Sequence, residues 1–226
     1  MRPVDKGDAL QAYRNYGEAR HDLAGRLGYY CSYCEMKVRN SLEVEHVLPR
    51  NQGGAPVDWN NFLLSCKYCN TIKGDHNDNL EYYFWPDRDN TDLAFDYSEA
   101  RVIEPSKNLS DDQKALAEST IRLMGLDRIP GGREEPTPAD TRWRSREEVW
   151  FMAKGSLKRW HAAPIPEMAE QIASGALGCG HYSIWMKIFE QESEVLLEID
   201  EIYRTKGLFK EFAADGSHIL RENARI

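Results

Sequence analysis

The sequence predicts an α+β, mainly helical protein: a ββα unit built on structural zinc, followed by a helical C-terminal region. Three observations predict it. Two C-x-x-C pairs, Cys31/Cys34 and Cys66/Cys69, bracket residues 31–73. Between them lie two short apolar runs that suit strands. Beyond residue 110 the apolar residues recur at helical spacing.

Taken in order, Asp8 to Leu27 reads as an amphipathic helix with Leu10, Tyr13, Tyr16, Leu23 and Leu27 on its core face and Gly28 as its stop. The first cysteine pair follows. Four thiolates from two short turns suit tetrahedral Zn²⁺; disulfides and redox C-x-x-C motifs are the rivals. The opening MRPVDKGDALQ is charged and has no apolar h-region, so a reducing, cytoplasmic setting is expected. Disulfides are rare there, and metal binding is the better account. Leu42 to Leu48 reads as a strand ending at Pro49, and Arg50-Asn51-Gln52-Gly53-Gly54 as a loop. Phe62-Leu63-Leu64 is a second strand, and the second cysteine pair opens a helix carrying Asn70 and Lys73. Strand, long loop, strand and helix on zinc would gather Glu45, His46, Asn61 and Asn70.

The pattern C-x-x-C … E-H-x-x-P … N-F-x-x-x-C-x-x-C-N-x-x-K, over residues 31–73, resembles the zinc-containing HNH endonucleases, whose ββα-metal core cuts phosphodiesters. By that resemblance His46 is the general base, and Glu45 and Asn70 hold one divalent cation. Asn61 orients the His46 ring, and the four cysteines are structural. Many relatives carry a second histidine where this chain has Asn70, a neutral oxygen donor that suits Mg²⁺ or Mn²⁺. Lys73 and Arg50 are expected to meet phosphate. The cation would stabilise charge on the phosphoryl and leaving oxygens while a neutral imidazole accepts the water proton.

After Lys73, the Tyr82-Tyr83-Phe84-Trp85 run sits among acids that repel phosphate, so core packing is expected rather than base stacking. Leu93 to Tyr97 and Arg101 to Ile103 suggest a hairpin ended by Pro105. Ser110 and Gln113 form a capping box for a helix stopping at Gly125, and Ser145 with Glu148 suggests another. Asp127 to Asp140, rich in Pro and Gly, reads as a linker or an ordered loop. Pro166 can open a helix. Ile184, Trp185, Ile188 and Phe189, then Val195, Leu196, Ile199 and Tyr203, form apolar stripes. Cys179 lacks a C-x-x-C mate; His161, His181 and His218 have no ligand spacing; Asp215-Gly216 suggests a terminal hairpin.

This divides the chain into an N-terminal helix with nuclease core, 1–105, and a helical, partner-binding region, 106–226. No run is long enough to span a membrane, and no Gly-rich loop continues to a phosphate-binding GK[ST]. The net charge of -8 is awkward for a free-standing nucleic-acid binder, which normally draws affinity from phosphate neutralisation. The MRPVDKG, TIRLMGLDR and YSIWMKIFE stretches, with the core, resemble the PtuB-type HNH subunits of Septu antiphage systems. That resemblance implies a PtuA-like ATPase partner and DNA, more than RNA, as substrate. The alternatives are a stand-alone restriction-type nuclease and a catalytically silent zinc-stabilised interaction module. The intact Glu45, His46, Asn61 and Asn70 argue against the last.

Overall fold

The first helix is shorter than its periodicity suggests. In this computed structural model, which describes residues 1–97, 102–209, 211–212 and 218–226, α1 runs from Ala19 to Leu27. Upstream, the Glu18 carboxylate accepts from the Arg14 N–H and the Asn15 amide and closes a separate turn at Tyr16–Glu18. Leu10 is 61% exposed, whereas Tyr13 stacks on Trp59 and donates to Asp22. Tertiary contacts, not helix propensity, decide this segment.

Strands β1 (Glu43–His46) and β2 (Phe62–Ser65) pair antiparallel, with Glu43 opposite Ser65 and His46 opposite Phe62. β1 is shorter than the Leu42–Leu48 expectation. The Cys66 sulfur accepts the Cys69 N–H and caps α2, Lys67–Lys73. The ββα unit thus forms in the expected order.

A short helix, α3 (Thr91–Ala94), leads to β3 (Phe95–Tyr97), which pairs with β4 (Ile103–Pro105). Arg101 lies outside the described residues. Phe84 and Trp85 are fully buried as expected, but Tyr82 is exposed. Helix α4, Asp111–Met124, carries the complete Ser110/Gln113 capping box and ends at Gly125, whose φ of 56° suits glycine. Residues 127–140 form an ordered loop tied by the Arg128–Glu134 ion pair.

Helix α5 spans Arg142–Ala162, so it begins before Ser145 and the Ser145/Glu148 box does not form. The Ser145 hydroxyl instead meets His181 Nε2 at 2.8 Å. Its buried face opens with Arg142 and Arg146 ahead of Val149, Ala153 and Trp160, while Met152 faces out. Helices α6 (Pro166–Cys179, proline in its first turn), α7 (Tyr182–Ile188) and α8 (Ser193–Arg204) complete the helical part. Ile184, Trp185, Phe189, Val195, Ile199 and Tyr203 are buried there. Strands β5 (Glu211–Phe212) and β6 (His218–Ile219) pair, and Asp215-Gly216 lies outside the described residues.

Polar ties cross between the helical part and the ββα unit. The Glu35 carboxylate accepts from the Ser183 N–H and hydroxyl at 2.8 and 2.6 Å, and Tyr30 donates to the Leu177 carbonyl. His181 lies between them, 1% exposed, at a left-handed φ of 56° before α7.

Burial pulls the His181 pKa from 6.5 down to about 4, although Glu35 opposes the shift. A base with a depressed folded pKa contributes full stability above 6.5 and loses it as pH falls toward 4. The loss should total about 3 kcal/mol. His181→Asn tolerates the left-handed backbone and should flatten this part of the stability curve. Denaturant titrations of both proteins between pH 7 and 4 check it; parallel curves would refute it.

Candidate active site and metal centre

The Cys31, Cys34, Cys66 and Cys69 sulfurs lie within 4.8 Å of one another, all buried and none in a disulfide. Cys34 and Cys66 sulfurs are 3.8 Å apart. A tetrahedron with Zn–S of about 2.3 Å has edges of about 3.8 Å, so the all-sulfur set fits zinc in type and size. Burial alone would raise the Cys31 pKa, but the three surrounding thiols hold it well below its ordinary value. The Arg142 guanidinium donates to Cys69 Sγ at 3.1 Å.

Beside this base an open cleft of about 470 Å³ is lined by Tyr16, Glu45, His46, Arg50, Asn70 and Asp75 among others. His46, at the end of β1, is half-buried between the rings of Tyr16 and Phe62, whose centroids lie 5.1 and 5.2 Å away. Its Nε2 lies 3.1 Å from the Pro56 carbonyl. A carbonyl only accepts, so Nε2 carries the proton and Nδ1 keeps the lone pair in the neutral ring.

Asn61 does not touch that ring. Its amide accepts from the Leu48 N–H and donates to the Leu48 and Ala55 carbonyls at 2.9 and 3.2 Å. It therefore ties together the two ends of the loop that places Pro56. Gly54 closes the same loop: a Cβ there would lie 1.8 Å from the Leu48 carbonyl oxygen.

Glu45 and Lys73 face inward. Glu45 is 2% exposed, with Oε1 2.5 Å from Lys73 Nζ and Oε2 accepting from the Tyr33 hydroxyl. Burial raises the Glu45 pKa while Lys73 opposes it. Lys73 is 1% exposed and donates also to the His46 carbonyl at 2.8 Å. The geometry gives Lys73 an internal ion pair in place of the expected phosphate contact. Arg50 is exposed and stacks over Tyr16 at 5.4 Å.

Asn70 Nδ2 donates to Glu43 Oε2 at 2.6 Å, which commits the nitrogen and leaves Oδ1 as its acceptor. Asn70 and Asp75 line the cleft with oxygen-bearing side chains of the type that suits a hard cation, whereas both Glu45 oxygens are engaged, by Lys73 and Tyr33. Sequence reasoning missed Tyr16 as a cleft residue, because it belonged to an apolar stripe. It also missed Tyr33, Asp75 and Arg142, which carry no spacing signal.

This arrangement of zinc-type knuckles, ββα unit and histidine cleft coincides with a family match. Residues 31–76 match the HNH endonuclease family model. They form an HNH endonuclease domain. The Septu protein PtuB of Bacillus thuringiensis is 42% identical over 55 residues. That stretch covers 23% of this chain and 21% of PtuB, about a fifth of each.

Two substitutions probe the HNH domain's geometry. Lys73→Met would leave Glu45 buried without its cation and should cost about 3–5 kcal/mol, read as a lowered denaturation midpoint. Gly54→Ala should cost about 1–3 kcal/mol and reduce hydrogen-exchange protection at residues 48–56; an unchanged loop would contradict the close approach.

Proposed function

We propose that this chain is a metal-dependent HNH endonuclease that hydrolyses phosphodiester bonds of DNA, with His46 as general base. The observation that carries the proposal is the His46 ring, tethered through Nε2 to Pro56 and lining an open cleft together with Asn70. A bound Mg²⁺ or Mn²⁺ would be held by Asn70 and by Glu45, whose carboxylate would share an oxygen now bonded to Lys73 or Tyr33, and would supply charge for the phosphoryl and leaving 3′ oxygens. His46 Nδ1 takes the proton of the attacking water, and the Pro56 carbonyl stabilises the resulting imidazolium through the existing bond. Tyr16 and Phe62 restrict the ring's tilt, and Asn61 positions the loop that holds it. Arg50 is the cleft cation free to meet phosphate.

The chain acts, in this proposal, as the nuclease subunit of a cytoplasmic antiphage complex with an ATPase. Two observations support it. The matched relative is a Septu protein. The chain carries a net charge of -8, and among the cleft-lining residues Arg50 is the sole Lys or Arg. An ATPase partner would then supply substrate capture and control. The described residues contain no helix long and apolar enough to cross a membrane.

The test is cleavage of plasmid, single-stranded DNA and tRNA with Mg²⁺ or Mn²⁺, with and without a co-expressed ATPase partner. Wild type should cut DNA when the partner is present. His46→Ala should be slower by about 10²–10⁴-fold, and Asn70→Ala should need more metal. Full activity of wild type alone favours the stand-alone nuclease; unimpaired cutting by His46→Ala overturns the base assignment.

A further inference from the structure

Helix α5 enters the core with two cations. Arg142 and Arg146 lie four residues apart on its buried face, 2% and 1% exposed. An arginine is almost never buried without a counter-charge, because desolvating it costs several kcal/mol. Arg142 has one evident partner: Asp140 accepts from its Nε at 2.9 Å and from Nη2 at 2.7 Å. It also donates to the Met124 and Gly125 carbonyls, at 2.8 and 3.0 Å, and so finishes the end of α4. Its Nη1 then reaches Cys69 Sγ at 3.1 Å, too polar a contact for a mere helix cap. Arg146, one turn on, donates to the Leu126 carbonyl at 3.0 Å.

The cysteine cluster supplies further counter-charge beside Arg142. Four thiolates around Zn²⁺ carry a net charge of about -2 in a buried site. Asp140 adds one negative charge, and the two guanidiniums offset most of the sum. We propose that Arg142 and Arg146 are the cationic half of the zinc centre, so that metal retention and docking of α5 on the HNH domain are one linked equilibrium. This rests on the zinc reading of the four cysteines. Removing the metal frees the Cys69 sulfur that Arg142 meets and loosens the first turns of α5. By linkage, neutralising the arginines weakens the metal by the same factor. The contact joins Cys69, which immediately precedes Asn70, to a helix far along the chain. The helical region thereby gains a physical handle on the cleft.

A purely structural role for Arg142, as cap of α4 and partner of Asp140, makes a different prediction. Asp140→Asn breaks the same ion pair but raises the positive charge beside the sulfurs. Under the proposal zinc affinity in Asp140→Asn is unchanged or tighter; under a structural role it weakens along with stability.

The experiment measures zinc content of the full-length wild type by mass spectrometry, then zinc affinity by chelator competition in wild type, Arg142→Gln, Arg146→Gln and Asp140→Asn. Both arginine variants should lose affinity by about 10–100-fold, the usual cost of removing an outer partner of a metal ligand. Zinc-stripped wild type should lose hydrogen-exchange protection in residues 142–153. Should Arg142→Gln fail to fold, Arg146→Gln and Asp140→Asn decide. Unchanged affinity in the arginine variants, weaker affinity in Asp140→Asn, or unaltered α5 protection on stripping would overturn the proposal. A wild type that binds no zinc would instead overturn the zinc reading itself.

Discussion

Four sulfurs converging in a buried site are the constraint on which the ββα unit rests. The elements around them are too small to hold themselves. The hairpin of β1 and β2 has four residues per strand, and α2 has seven residues. A two-stranded hairpin is marginal in water, and an isolated helix shorter than about 12 residues does not persist. Cys31 and Cys34 from one turn and Cys66 and Cys69 from the start of α2 meet where a zinc ion would pin the pieces together. Because Asn70 follows Cys69 directly, fixing the sulfurs also fixes Asn70 against β1. Its bond to Glu43 shows how close the two come.

The same strand divides its work between inside and outside. The Glu45 carboxylate turns in toward Lys73 and Tyr33, while His46 turns out between Tyr16 and Phe62. Lys73, at the end of α2, grips both the Glu45 carboxylate and the His46 carbonyl. One buried cation thus couples the last turn of α2 to the last two residues of β1. Breaking such a pair from one side leaves an uncompensated charge in the core, which makes it a positional lock more than a source of net stability.

What the sequence made legible was whatever local spacing encodes. The cysteine pairs, the Ser110 capping box, the Pro166 start and the order strand, strand, helix all follow from residues within a few positions of one another. What it hid depends on distant partners. Tyr16 reads as one more apolar position until the fold brings it onto His46. Lys73 reads as a phosphate ligand until Glu45 is seen beneath it. Asn61 reads as an orienter of the histidine ring, yet its amide bonds the Leu48 and Ala55 carbonyls, a route no spacing rule supplies. Ser145 has a suitable glutamate three residues on, but Arg142 had already begun the helix, anchored by Asp140 and the cysteine cluster.

Charge placement then separates chemistry from capture. With Lys73 internal and the two α5 arginines committed to the core, three of the chain's cations near the HNH domain are unavailable to a polyanion. Arg50 alone among the cleft-lining Lys and Arg residues remains at the surface, on a chain of net charge -8. Nucleic-acid affinity at cellular salt comes from several phosphate contacts acting together, and one arginine gives a shallow salt dependence and weak hold. The cleft by itself therefore offers a polyanion little positive charge.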